Sequence, residues 1–271
     1  MRPFSIFSTA AVGALAGCML IFPTEAARSA FAALTVFSQS VLPALLPYSV
    51  CALLLTAGRS LPAPALLLLA LPGGSPTGAR LFQDAGLTPA AARRCAAMTG
   101  TMSPMFFLAT LSQWLASPRL GAALLAVHLA AAGLCGLLFR ERPRGRITLP
   151  PLTVPQALSQ SAQAMLTVAA AMTLASVAAR MAACALPGLP PLPAALLHAA
   201  LEVTGGCQSL IALGAPLPLL AALLSFTGLS ILLQNAAFWQ KHGLGLGKLA
   251  VMGMARAGIA FLVCLGIGAF F

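Results

Sequence analysis

Long apolar runs, cut at intervals by Pro, Gly and small polar residues, dominate the chain. The first extends from Phe4 to Phe22 and stops at Pro23. A second, over 31–57, is long enough to cross a bilayer, yet Pro43 and Pro47 lie inside it. Each removes a backbone donor, and each is expected to kink the helix. The run at 61–72 falls short of the roughly 20 residues a full crossing needs, and it leads straight into Gly73-Gly74-Ser75-Pro76-Thr77-Gly78. Segment 79–97 mixes Arg80, Asp84, Arg93 and Arg94 with Ala and Leu, and its Thr88-Pro89 reads as an N-cap followed by Pro in the first helical turn. This is expected to be a pair of interfacial helices. Thr99-Gly100-Thr101-Met102-Ser103-Pro104 follows, then a short apolar helix to Ala116, and Ser117-Pro118 turns the chain into a clean span over 119–139.

The stretch Arg140–Arg146 holds four Arg and one Glu, the strongest positive-inside signal in the sequence, which places it in the cytoplasm. Beyond it the plan repeats. A span covers 157–185 and a Pro-rich turn 187–193. An apolar segment from Leu192 is broken at Glu202–Ser209, and another from Pro216 is broken at Ser225–Ser230. That segment ends near Gln234-Asn235, and the polar turn Gln240–Gly247 leads to a last span, 248–271. Breaks at 73–78 and 99–104 are thus matched in order by breaks at 204–209 and 225–230. Such weak internal symmetry of interrupted helices is the sequence signature of transporter folds built from repeats. The pattern predicts an all-α polytopic membrane protein of about eight transmembrane or re-entrant helices, in two structurally similar halves. The expected divisions are an N-terminal transmembrane helix over 1–30, a first half over 31–140, a basic cytoplasmic linker over 141–155 and a second half over 156–271.

Composition sharpens this picture. Of 271 residues, 60% are hydrophobic and only 7% charged, against roughly 25% charged in a soluble domain. Fifteen Lys and Arg with four Asp and Glu cannot cover a water-facing exterior, whereas lipid solvates an apolar one. The net charge of +11 does not point to nucleic acid, because the arginines cluster at the ends of apolar runs as topology signals and headgroup anchors. Seven scattered Cys include no CxxC and no Cys/His cluster, so neither zinc nor a disulfide framework is expected. The N-terminal run is about 19 residues, longer than the roughly 7–15 of a secretory h-region, which favours an uncleaved first helix.

Backbone freed by a helix break cannot face lipid and must be buried or line a wet cavity. Free N–H groups at half-helix N-termini carry partial positive charge and suit a polar or anionic guest. The candidate binding residues are therefore Gly74, Ser75, Thr77, Ser103, Glu202, Thr204, Gly205, Ser230 and Arg256. Glu202 is the single acid in the apolar segments of the second half, and it should face a cavity, a coupling proton or cation, or an arginine. Arg256, set among small residues in the last span, is expected either to pair with Glu202 or to contact an anion; Arg80 is a second anion candidate. His128 and His198 read as packing histidines, and Gln234-Asn235 as a polar lining or an interhelical clamp. No HExxH, GxSxG, Walker A or paired carboxylates occur, so no enzyme and no cofactor is expected.

Several of these stretches resemble the YlbJ (SpoVV) family of sporulation integral membrane proteins, which carry the nucleoside-recognition gate fold. The matching residues are Leu42-Pro43-Ala44-Leu45-Leu46-Pro47-Tyr48, Gly74-Ser75-Pro76-Thr77-Gly78-Ala79-Arg80-Leu81, Ser103-Pro104-Met105-Phe106 and Arg119-Leu120-Gly121. Leu201-Glu202-Val203-Thr204-Gly205-Gly206-Cys207, Gly228-Leu229-Ser230-Ile231 and Ala255-Arg256 complete the set. The chain departs from the family at Gly100, Met102 and Ser103, where the family is richer in Asn, and at Gly74-Ser75-Pro76, where the family has a Gly-Tyr-Pro-like turn. The resemblance implies movement of a small anion such as dipicolinate across the outer forespore membrane. The expected function is a cell-membrane permease for a small polar or anionic solute, with lipid as its other partner and homo-oligomerisation left open. The alternatives are a non-transporting membrane assembly factor and a nucleoside permease.

Overall fold

The computed structural model describes residues 6–143 and 145–268; Arg2, Phe4, Arg144 and the end of the last span lie outside them. The chain is helical for most of its length. Among the described residues, five helical segments are long and apolar enough to cross a bilayer: Pro23–Thr56, Pro118–Leu137, Val154–Ala185, Leu217–His242 and Leu246–Ile267. Large apolar side chains stand out from the helix sides, with Leu20, Phe31, Leu166 and Leu262 exposed by 84, 74, 69 and 68%. Such an exterior calls for lipid as its solvent. The chain is an all-α, multi-pass membrane protein.

Helix α1 (Ile6–Ile21) ends where Phe22 leaves helical geometry, and α2 (Pro23–Val36) starts at once with Pro23 in its first turn. The second helix therefore begins well before residue 31, because Pro favours a helix start as much as it blocks a continuation. Glu25 in this first turn sits favourably at the positive end of the helix dipole. Pro43 and Pro47 do not interrupt the span as expected. A π-helical turn, Phe37–Val41, widens the helix just ahead of Pro43, and α3 (Leu42–Thr56) carries on through both prolines. Leu42 N–H reaches back five residues to Phe37 O, so the missing donor of Pro43 is absorbed in a wider turn.

Strand β1 (Ser60–Pro62) pairs antiparallel with β2 (Arg146–Thr148), tying the start of α4 (Ala63–Gly73) to the basic linker. The strand pair was not anticipated from the sequence. Helix α4 stops at Gly74 and α5 (Thr77–Phe82) folds back along it, with Gly78 beside Ala70. Next come α6 (Pro89–Thr99), a break, a π-helical turn at Phe106–Leu111 running into the short α7 (Ser112–Trp114), and α8 (Pro118–Leu137). Ser117 caps α8 by accepting from Leu120 N–H. The 32-residue α9 (Val154–Ala185) opens with a capping box between Thr153 and Gln156; at 1.5 Å per residue it is about 48 Å long.

At the far end of α9 the chain turns into α10 (Pro191–Leu201), which stops at Glu202, and α11 (Val203–Ala212) folds back along it. The interruption falls at Glu202, so residues 204–209, expected as a break, are the first turns of a helix. Helices α12 (Leu217–Phe226) and α13 (Gly228–Trp239) meet at Thr227 and Gly228, with φ of 72° and 69°. Helix α14 (Leu246–Gly268) then packs along α12 and α8. The hairpin α4–α5 starts beside the basic linker, and α10–α11 starts at the opposite end of α9. The two hairpins therefore enter the molecule from opposite ends.

Close approach at Gly206 holds the second hairpin shut, since a β-carbon there would lie 2.1 Å from the Ala199 backbone. Gly206→Ala is expected to cost about 1–3 kcal/mol by forcing α10 and α11 apart, read as a fall in thermal midpoint in detergent. Gly133→Ala, where a β-carbon meets nothing within 4 Å, should leave the midpoint level or raise it.

Candidate functional site

Four helix interruptions converge inside the molecule. Gly74, at φ 55°, lies so close to the second break that a β-carbon on it would fall 2.5 Å from Ser103 N, a position that only glycine fills without strain. Ser75 N–H donates to Thr101 O at 2.7 Å, which locks the first break to the second. Ser75 Oγ donates to Asn235 Oδ1 at 2.9 Å and reaches α13 beyond the fourth break. Gly228, at that fourth break, packs against Ala199 O and Val203 N at the third. Thr227 is a buried, β-branched residue in the left-handed region, a strained position of the kind held in place at functional sites.

Between these breaks lies a cavity of about 100 Å³, room for a few waters or a small solute. Five of the sequence candidates line it: Ser75, Ser103, Glu202, Thr204 and Ser230. Ser75 and Thr204, from the two hairpin tips, share its wall. Sequence reasoning kept Gln234 and Asn235 out of the candidate binding set while reading them as a polar lining or an interhelical clamp; Gln234 lines the cavity and Asn235 holds Ser75. Two adjacent amides in the middle of an apolar helix were the available signal. It also missed the apolar wall of Val41, Val168 and Met172, for which the sequence carries no signal, because only packing brings α9 and the π-helical turn here. Among the described residues, no group of three or more His, Cys, Asp or Glu could hold a metal ion.

Gly74, Thr77, Gly205 and Arg256 are not among its lining residues. Glu202 is 6% exposed and caps α11, accepting from Thr204 N–H at 3.0 Å and Gly205 N–H at 2.7 Å. The half-helix N-terminus expected to bind an anionic guest is thus already occupied by the protein's own carboxylate. Each carboxylate oxygen keeps a second lone pair for a proton or a donor. Thr77 is buried below the tip, and its hydroxyl has no hydrogen-bond partner.

Arg256 neither pairs with Glu202 nor lines the cavity. Buried to 2% exposure, it donates to Ala97 O at 3.2 Å and Ser225 O at 3.3 Å. Both carbonyls lie in the last turns of helices that stop at mid-molecule, α6 and α12, so they lack intrahelical partners. The guanidinium rests at the negative ends of two helix dipoles, which stand in for a counter-ion. Gly100 makes room for it, since a β-carbon there would lie 2.2 Å from Nη1. His128 works beside it. Its Nε2 accepts from Met102 N–H at 3.1 Å and its Nδ1 faces Ser225 Oγ at 3.1 Å, the pattern of a neutral ring protonated at Nδ1.

Arg80 is also held away from the cavity. It donates to Gln83 at 2.7 Å, Asp84 at 3.0 Å and Gln160, while Lys241 donates to Asp84 at 2.8 Å. Phe82 stacks on Trp239 beside this cluster, with ring centroids 6.1 Å apart. Together these contacts join the end of α5 to the end of α13 on the side of the basic linker.

Arg256→Met should leave the Ala97 and Ser225 carbonyls unpaired, at about 1–3 kcal/mol each, visible as a lowered thermal midpoint. At Asp84, burial pushes the carboxyl up, but hydrogen bonds from Lys241 and Arg80, with their charges, outweigh it and hold it below its ordinary value. A depressed folded value means that the tie is fully present above about pH 4 and is lost as pH falls through the folded value. Asp84→Asn should therefore cost about 1 kcal/mol or less of stability at neutral pH because the pair is solvent-screened, read as a small fall in thermal midpoint. The gap to wild type should close in acid.

No family model, curated protein or solved structure matches this chain, so its function has to be read from this geometry.

Proposed function

We propose that the protein is a membrane permease that passes a small polar solute through the cavity between the four helix breaks. One observation carries the reading: in a chain that is apolar almost throughout, Ser75, Ser103, Thr204, Ser230, Gln234 and Glu202 are gathered around one cavity. Non-helical backbone at membrane depth is tolerated where it is buried or lines a wet cavity, and broken helices meeting near mid-membrane are how transporters build such sites.

The order of elements supports two halves of like plan. A long helix (α2–α3, then α9) is followed by a hairpin (α4–α5, then α10–α11), a broken crossing (α6–α7, then α12–α13) and a closing helix (α8, then α14). With α1 and α6–α7 counted as crossings and the two hairpins as re-entrant, this reading has seven crossings and two re-entrant hairpins. Four of the crossings precede the basic linker, so α1 begins on the linker's side, the cytoplasm by the positive-inside rule. Rocking of one half against the other would open the cavity to each side in turn.

Charge selects among solutes. Among the described residues, Glu202 is the one charged side chain lining the cavity, so a neutral or cationic polar solute is favoured as the site stands. A dicarboxylate such as dipicolinate, which the YlbJ resemblance implies, fits only with Glu202 protonated. A nucleoside would need the cavity to widen.

Purified protein in proteoliposomes is expected to take up at least one of three solute classes: a small neutral polyol or amide, a dicarboxylate or a nucleoside. Glu202→Gln and Ser230→Ala should each cut that uptake by about tenfold or more, the loss of one or two hydrogen bonds to the solute, while thermal midpoint and yield persist. Folded wild-type protein that moves none of the three would favour the assembly-factor reading.

A further inference from the structure

Several polar groups around the cavity between the breaks have no partner in the protein. Ser230 and Gln234 are 1 and 3% exposed, and neither side chain forms a hydrogen bond with the rest of the chain. Among the described residues, four side-chain polar atoms are sealed off without a partner, at Thr77, Ser161, Thr173 and Trp239. The Ser230 hydroxyl and the Gln234 amide do not belong to that group. The little surface these two residues keep therefore lies at their polar atoms, on the cavity they line.

Unfilled donors come from α13. Thr227, its N-cap residue, spends its hydroxyl on Phe226 O and caps nothing, so the first N–H groups of the helix are left without a side-chain partner. Gln234 follows Ser230 by one turn on the same face, and helical side chains lean toward the N-terminus, which carries the amide donor toward those N–H groups. Unfilled acceptors come from Glu202 and Ser75. The carboxylate can only accept, and each of its oxygens has one lone pair taken, by Thr204 and Gly205 N–H. Ser75 has given its one hydroxyl proton to Asn235 Oδ1, so toward the cavity it too can only accept. The start of α13 lies beside the Glu202 cap, since a β-carbon on Gly228 would fall 3.2 Å from Val203 N. Donors and acceptors thus stand next to each other.

We infer that the cavity takes a small neutral solute in which a carbonyl oxygen adjoins N–H donors, a primary amide or urea. The inference rests on reading the cavity as a solute site, and it names the class of solute. The carbonyl oxygen accepts from the Gln234 amide and the uncapped start of α13, while the N–H groups donate to Glu202 and Ser75. The hydroxyls of Ser103, Thr204 and Ser230 can turn either way and fill what remains. Size agrees: a cavity of about 150 Å³ holds benzene, with its six heavy atoms, so about 100 Å³ holds roughly four, the count in urea or acetamide. Two planar ions of that size fit worse. Nitrate brings no donor for Glu202 and Ser75, and guanidinium brings no acceptor for Gln234 and α13. Sites built on hydrogen bonds reject analogues that leave a buried group unpaired. A cation is not required either, because the Glu202 carboxylate already rests on the N–H groups it caps.

The test is a ranking of labelled urea, acetamide, nitrate and guanidinium, offered to full-length protein in proteoliposomes with the membrane potential clamped. After subtraction of leak into protein-free vesicles, both amides should enter at least about tenfold faster than either ion, a tenfold step being roughly one hydrogen bond. Gln234→Glu exchanges the amide donor for an acceptor at nearly constant size. It should slow urea about tenfold and raise guanidinium entry above wild type, an exchange of preference that loss of packing alone does not produce. If that variant does not fold, the wild-type ranking decides by itself. Nitrate or guanidinium entering the wild type as fast as urea overturns the inference, and so does a urea rate untouched by Gln234→Glu. Wild-type protein that moves a polyol, a dicarboxylate or a nucleoside but neither amide overturns it as well, with the permease reading intact. Folded protein that moves no solute at all takes the permease reading down with it.

Discussion

A helix that stops inside a bilayer leaves several N–H groups or carbonyls without partners, and hydrocarbon offers none. The protein stops helices there four times, and the architecture around those stops is largely the answer to that problem. The third break is satisfied by Glu202, the carbonyls ahead of the second and fourth by Arg256, the N–H of Met102 by His128, and the N–H of Ser75 by the carbonyl of Thr101. Glu202 caps its own break locally, whereas Arg256, His128 and Thr101 come from elsewhere in the chain, so at those breaks satisfying the backbone also brings distant segments together.

The two buried charges divide this work by sign. A carboxylate belongs at a helix N-terminus and a guanidinium at a C-terminus, because the peptide dipoles point that way. Glu202 and Arg256 obey this rule separately instead of neutralising each other. An ion pair between them would have removed both from service at the breaks. Because they stay apart, Arg256 is a fixed structural cation tied to two carbonyls, whereas Glu202 keeps unused lone pairs facing a cavity.

Function then depends on where the hairpins come from. Entering from opposite ends, α4–α5 and α10–α11 each contribute a tip, and the tips share one wall of the cavity. Glycines at Gly74, Gly206 and Gly228 allow backbone to approach backbone where a β-carbon would collide. The contacts on the linker side, Phe82 on Trp239 and Arg80 and Lys241 on Asp84, bind the first hairpin to α13.

Apolar periodicity, the scarcity of charge and the Gly, Ser and Pro clusters by themselves determined that this chain lives in a membrane, that it is helical, and roughly where its helices break. Breaks at Gly74, at Gly100 and around Gly228 were legible because glycine is locally unfit for a continuing helix. The third break was read as running on from Glu202 to Ser209, since Glu202 ends α10 and caps α11 at once by a side-chain bond that composition does not reveal. The tertiary structure alone decided that Pro43 would be absorbed in a π-helical turn, that Gln234 and not Arg256 would face the cavity, and that α9 would close it with Val168 and Met172. The reason is physical. A break is a property of a few neighbouring residues, but most partners that satisfy it are chosen by packing, across 26 residues for His128 on Met102 and 159 for Arg256 on Ala97.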